Sequence, residues 1–79
     1  MKILLKLYGT LPEYYPGTYP DEGLALEISA NTSIADLVDF VKLPQQHVAI
    51  VAINGMLAKA GDIVPDRAEV KFFQPLNGG

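Results

Sequence analysis

The stretch Ser33-Ile34-Ala35-Asp36-Leu37-Val38-Asp39-Phe40-Val41 decides the fold. Ser33 stands where a helix N-cap would, and Asp36, three residues on, can reach back to the cap's own amide, a variant of the capping box. Ile34, Leu37, Val38 and Val41 then fall at i, i+3, i+4 and i+7, a single apolar stripe, with Asp36 and Asp39 opposite and Phe40 flanking it. Pro44 restricts Leu43 to extended geometry, so the helix is expected to stop near Lys42 after about two to three turns. A helix with one stripe covers one side of a sheet.

The sheet is legible on both sides of it. Lys2 to Tyr8 alternates, with Ile3, Leu5 and Leu7 on one face and Lys2 and Lys6 on the other, and Leu24, Leu26 and Ile28 alternate with Ala25, Glu27 and Ser29. These two strands are expected to pair as an antiparallel hairpin. Between them, Gly9 to Gly23 carries Pro12, Pro16 and Pro20 with Tyr14, Tyr15 and Tyr19, and reads as a long loop. After the helix, Val48 to Ile53 is a continuous apolar run. Asn54-Gly55, the dipeptide that best tolerates a type I′ turn, follows it and leads into a short fourth strand. Turn signals at Ala60-Gly61-Asp62 and Pro65-Asp66 precede Glu69 to Gln74, where Val70 and Phe72 face one way and Lys71 and Phe73 the other.

The order is hairpin, helix, hairpin, strand. No second stretch has the 3.6 period that a ferredoxin-like fold would need, so the expectation is an α+β roll of the β-grasp kind, a mixed sheet of four to five strands with one main helix. Residues 1–74 form this domain, and Pro75-Leu76-Asn77-Gly78-Gly79 is expected to leave it as a flexible C-terminal tail.

Composition narrows the function. In 79 residues, 49% hydrophobic and 19% charged, there is material for one packed domain and no interdomain cleft. Such a small core is expected to offer no internal pocket of the roughly 300 Å³ that ligand sites usually need. The absence of cysteine excludes disulfides, thiolate zinc sites and cysteine nucleophiles, and a single histidine cannot build a histidine metal cluster. Six Lys plus Arg against nine Asp plus Glu give a net charge of −3, and the cations are scattered, which argues against nucleic acid. No run approaches the roughly 20 apolar residues of a membrane span, and Lys6 interrupts the first apolar stretch before it can read as a signal peptide. A cytoplasmic protein is expected.

Few side chains suggest chemistry. His47, in the turn before the third strand, has no serine, threonine or acid patterned around it and reads as a surface or capping histidine. Asp36 and Asp39 lie on a solvated helix face, and Asp62, Asp66 and Glu69 sit in or beside turns, so no acid–base pair is implied by spacing. Tyr14, Tyr15 and Tyr19 either form an adhesive surface loop or fold back over the edge of the core. If Val70 and Phe72 face the helix, Phe73, with Leu4 and Tyr8, lies on the open face of the sheet, where an apolar patch would mark a partner site. The ending is the sharpest feature. Pro75 to Gly79, fully extended, reaches about 16–18 Å, enough to carry a terminal carboxylate into another protein's active site. Gly78 and Gly79, lacking Cβ atoms, fit a narrow channel.

On these residues the sequence resembles the ubiquitin-like sulfur carriers of the MoaD/ThiS family, which includes the small subunit of molybdopterin synthase and the thiamine-pathway carrier. The similarity runs through Tyr8-Gly9, "SIADLVDFV", "VAIVAINGMLA" and "EVKFFQPLNGG". The two phenylalanines, the proline and the diglycine look more like the molybdopterin type. Two features depart from the family: Asp66-Arg67-Ala68-Glu69 stands where an Asp-Gly-Asp turn is frequent, and the proline-rich loop before Gly23 is atypical.

The resemblance implies that the Gly79 carboxylate is the reacting group. A ubiquitin-activating-type adenylyltransferase would adenylate it with ATP, and it would then become a thiocarboxylate that donates sulfur in molybdopterin or tungstopterin biosynthesis. It also implies that Gly78, Asn77, Leu76, Pro75 and Phe73 contact partners. Those partners are the activating enzyme and a sulfur acceptor such as a molybdopterin synthase large subunit. On this reading the chain is a carrier rather than an enzyme and binds neither metal nor cofactor itself. The alternatives are a sulfur carrier for thiamine or cysteine, a ubiquitin-like protein modifier, and a plain interaction domain.

Overall fold

The computed structural model of the chain describes residues 1–75, and the tail from Leu76 onward lies outside that range. Strands β1 (Lys2–Leu7), β2 (Leu24–Glu27), β3 (Ile50–Ile53), β4 (Met56–Ala58) and β5 (Glu69–Phe73) accompany helices α1 (Leu11–Tyr14) and α2 (Ile34–Phe40) and a 3₁₀ turn at Gln45–His47. The strands form one sheet in the order β2-β1-β5-β3-β4. β1 and β5 run parallel at its centre, with Leu5 opposite Val70 and Leu7 opposite Phe72, and every other neighbouring pair is antiparallel. A parallel pair needs a crossover longer than a hairpin, and α2 lies within that connection. This is the mixed five-stranded β-grasp arrangement that the element order predicts.

Alternation along the strands sends one set of side chains to α2. Leu5, Val70 and Phe72, each fully buried, meet Leu37 and Val38 of the helix in a single core cluster, together with Ile34 and Val41. Burying a side chain of this size contributes about 1.5–3 kcal/mol, so the central strands and the stripe carry the largest share of the stability. The capping box forms as read: Ser33 Oγ accepts from the Asp36 amide at 3.1 Å, and Asp36 Oδ2 accepts from the Ser33 amide at 3.2 Å.

The helix ends earlier than the proline argument gives. Its last residue is Phe40, and Lys42 takes a left-handed backbone with φ 61°. The Lys42 amide donates to Asp39 O and the Leu43 amide to Val38 O, the paired bonds of a Schellman stop, with buried Leu43 supplying its apolar contact. Pro44 instead opens the 3₁₀ turn.

The Gly9–Gly23 segment also departs from a plain loop, because α1 lies inside it. Pro12, in the first turn of α1, has a ring that presets helical φ, and four residues are too few for a 3.6 period to register in the sequence. Leu11 is fully buried in the common core. Tyr15 and Tyr19 pack against that core, and the Leu7 amide donates to the Tyr19 hydroxyl at 2.9 Å. The fold-back reading therefore holds for these two tyrosines. Among the described residues no helix is long and apolar enough to cross a membrane.

Two turns set the sheet's far end. Asn54 and Gly55, at φ 51° and 83°, make the type I′ turn expected of them. Asn54 also accepts through Oδ1 from the Glu69 amide at 2.9 Å, which ties the hairpin to β5. Before β5, Arg67 adopts φ 62° and its amide donates to Lys2 O at 2.7 Å, while Asp66 accepts from the Lys2 amide at 3.0 Å. The arginine thus occupies a left-handed position of the kind glycine usually fills.

Candidate functional site

Parallel pairing of β1 with β5 fixes what lies beside the point where the chain leaves the sheet. Because Leu7 sits opposite Phe72, the next residues, Tyr8 and Phe73, are neighbours on the open face. Their rings stack with centroids 4.9 Å apart and planes 14° from parallel. On the other side of β5 the antiparallel register sets Ile50 opposite Phe73, and Ile50 is exposed. Tyr8, Phe73 and Ile50 therefore form an apolar row across three strands at the end of β5. With Gly9 and Gln74 they line an open depression of about 440 Å³.

One step further from the tail the open face changes character. Lys6 and Lys71 are paired in register, and both reach Glu69, at 3.2 and 3.7 Å. Two ammonium groups on one carboxylate leave a positive margin beside the apolar row. On the far edge Leu57, opposite Ala52, is largely exposed.

Beyond Phe73 the chain is held by a side chain. Gln74 Oε1 accepts from both the amide and the hydroxyl of Thr10, the residue that precedes α1. Gly9, at φ 66°, lies directly beneath: a Cβ there would stand 2.5 Å from Gln74 Cδ and Oε1. A second depression of about 360 Å³ opens on this side, lined by Thr10, Tyr14, Gln46, His47, Gln74 and Pro75. Tyr14 and His47 stack in its wall, centroids 4.3 Å apart. The chain thus departs between an apolar depression and a polar one.

Of the residues singled out in the sequence, Phe73 stands in the apolar row and Pro75 beside the polar depression. Leu76, Asn77, Gly78 and Gly79 lie outside the described residues. Tyr8 joins Phe73 as expected, and the structure adds Ile50, Thr10 and Gln74, which no local sequence pattern marks. The run Val48 to Ile53 has no alternation to tell which face Ile50 takes, and the Gln74 contact joins positions 64 residues apart.

The carboxylates have structural work. Asp36 caps α2, Asp39 accepts from Gln45, Asp62 closes a turn on the Lys59 amide and Asp66 binds the Lys2 amide. Among the described residues no three His, Asp or Glu side chains converge to hold a metal ion. Both depressions are open to the surface rather than internal to the core, although their volumes reach those of ligand sites. The apolar one, beside the tail base, is walled mainly by Tyr8, Ile50 and Phe73, with no Asp, Glu, Lys or Arg among its lining residues. That arrangement suits docking against an apolar surface.

Comparison with known proteins bears on this geometry. The ThiS family model matches residues 6–79. By sequence, no curated protein matches the chain. Among solved structures, small archaeal modifier protein 1 from Haloferax volcanii superposes with a TM-score of 0.70 at 19% identity, covering 100% of both chains. A Pyrococcus furiosus protein assigned as molybdopterin converting factor, subunit 1, gives 0.71 at 16% identity over 95% of this chain and 98% of that one. Urm1 from Trypanosoma brucei gives 0.68 at 18% identity over 99% and 95%. At these identities the superpositions establish the shared ubiquitin-like fold.

Proposed function

The chain belongs to the ThiS family, and from that membership we propose that it is a sulfur carrier whose reacting group is the Gly79 carboxylate. The observation that carries the reading is the family match, which extends through the diglycine to residue 79. A partner adenylyltransferase joins the carboxylate to AMP from ATP and releases pyrophosphate. With hydrosulfide as the sulfur source, attack on the acyl carbon forms a C–S bond and breaks the bond to AMP. The step is redox-neutral and leaves a thiocarboxylate. Adenylation is needed because a carboxylate oxygen is a poor leaving group and AMP a good one. The reaction consumes ATP and belongs in the cytoplasm.

The chain's own part is to dock and to present its end. The row of Tyr8, Phe73 and Ile50 provides a desolvatable anchor of the kind that carries most interface energy. Gly78 and Gly79 thread the partner's channel, Phe73, Pro75 and Leu76 seat the base of the tail, and Asn77 also contacts the partner. The carrier itself needs no catalytic side chain, metal or bound cofactor.

The acceptor we favour is a molybdopterin synthase large subunit, for molybdopterin or tungstopterin. Support comes from the Phe72-Phe73, Pro75 and Gly78-Gly79 ending and the likeness to a protein assigned as molybdopterin converting factor, subunit 1. A second reading, a modifier joined through Gly79 to lysines of other proteins, has the likeness to small archaeal modifier protein 1 in its favour. The two separate after activation. Incubating the thiocarboxylate form with a sulfur-free pterin precursor and the large subunit yields dithiolene on the first reading, whereas covalent conjugates in cell extract favour the second. Gly79→Ala should block sulfur loading while leaving the fold untouched, and normal loading of the variant would refute that need for glycine at the end.

A further inference from the structure

The ladder that holds β5 ends at Phe72 and Phe73. The Tyr8 amide donates to Phe72 O at 3.1 Å and the Ala49 amide to Phe73 O at 2.9 Å. Past these bonds the chain is tied by the Gln74 side chain, which Thr10 grips with two donors on one oxygen. Pro75 comes next and has no N–H with which to add a backbone tie. Among the described residues, Gln74 thus makes the last side-chain hydrogen bond that holds the departing chain. The grip also depends on Gly9, since any Cβ there would displace the amide group of Gln74.

We propose that Gln74 is a positioning residue for tail activation: gripped by Thr10 over the bare backbone of Gly9, it fixes the base from which the tail is presented to the activating enzyme. The proposal rests on the sulfur-carrier reading. Its physical content is preorganisation. A pivot freed at residue 74 lets the end of a segment about 16–18 Å long sweep over many positions, and the partner must then restrict that motion on binding. The loss falls on binding rather than on the chemical step, so it raises KM and leaves kcat in place.

The test is ATP–pyrophosphate exchange by a ThiS-family activating enzyme, with the full chain as substrate, for wild type, Gln74→Met and Gln74→Glu. Methionine keeps the length of the side chain and removes the acceptor, while glutamate keeps an oxygen where Thr10 donates. Protection of the Thr10 amide from hydrogen exchange reports the grip directly in each variant.

The expected result for Gln74→Met has three parts: a KM raised about three- to tenfold, kcat within about twofold, and lost Thr10 protection. Gln74→Glu should restore both KM and protection. An unchanged KM in Gln74→Met, with Thr10 protection lost, overturns the positioning role alone. A glutamate variant that recovers protection but not KM also overturns it. If the wild-type chain supports no exchange, the sulfur-carrier reading fails and takes this role with it.

Discussion

Replacing Gly9 by alanine places a methyl group 2.5 Å from Gln74 Cδ and Oε1 on a backbone held at φ 66°. Left-handed geometry costs an alanine about 1–2 kcal/mol. The Gln74 amide must also move, forfeiting two hydrogen bonds from Thr10 at about 0.5–1.5 kcal/mol each. The substitution should thus cost about 2–5 kcal/mol, against the total of about 4–12 kcal/mol expected for a domain of 79 residues.

Gln74→Ala alone forfeits the same two bonds, about 1–3 kcal/mol, without the backbone cost. In its background Gly9→Ala should cost only the backbone share, so the double variant is no less stable than Gly9→Ala itself. Urea unfolding followed by far-UV circular dichroism for the four proteins measures the cycle. The predicted departure from additivity is about 1–3 kcal/mol, well beyond the roughly 0.3–0.5 kcal/mol seen for independent sites. Additive costs would show that Gln74 does not lie over Gly9 in solution.

Three further outcomes follow from the same geometry. Arg67→Gly should raise stability by about 0.5–1 kcal/mol, because glycine takes φ 62° without strain while the Asp66 bond to Lys2 stays in place; the urea midpoint reads this directly. Leu11→Ala should cost about 2–5 kcal/mol, since this fully buried side chain makes the Gly9–Gly23 segment part of the core; thermal unfolding close to wild type would refute that. Phe73→Ala should weaken binding to the activating enzyme by about tenfold or more. Calorimetric titration checks this, with Tm reported alongside to separate lost docking from lost folding.

Local signals made most of the fold legible. Ser33 and Asp36 announced the helix, and the stripe at Ile34, Leu37, Val38 and Val41 named its buried face. Alternation in Lys2–Tyr8 and Glu69–Gln74 assigned both central strands and put Tyr8 and Phe73 together on the open face. The features that escaped have physical reasons. Helix α1 is a single turn, shorter than the period that would reveal it. The stop after Phe40 and the turn before β5 use Lys42 and Arg67 in left-handed geometry, where a reader of sequence looks for glycine or asparagine. Ile50 and the Thr10–Gln74 grip depend on strand register between distant segments, which no local pattern encodes.

The central claim is that Gly79 carries sulfur. Its most direct test is the intact mass of the chain after incubation with ATP, a ThiS-family activating enzyme and hydrosulfide, with fragmentation to locate any change. The account predicts a gain equal to sulfur replacing one oxygen, confined to Gly79 and dependent on ATP. An unchanged mass with several activating enzymes, on a chain whose final residue is verified as Gly79, would contradict it.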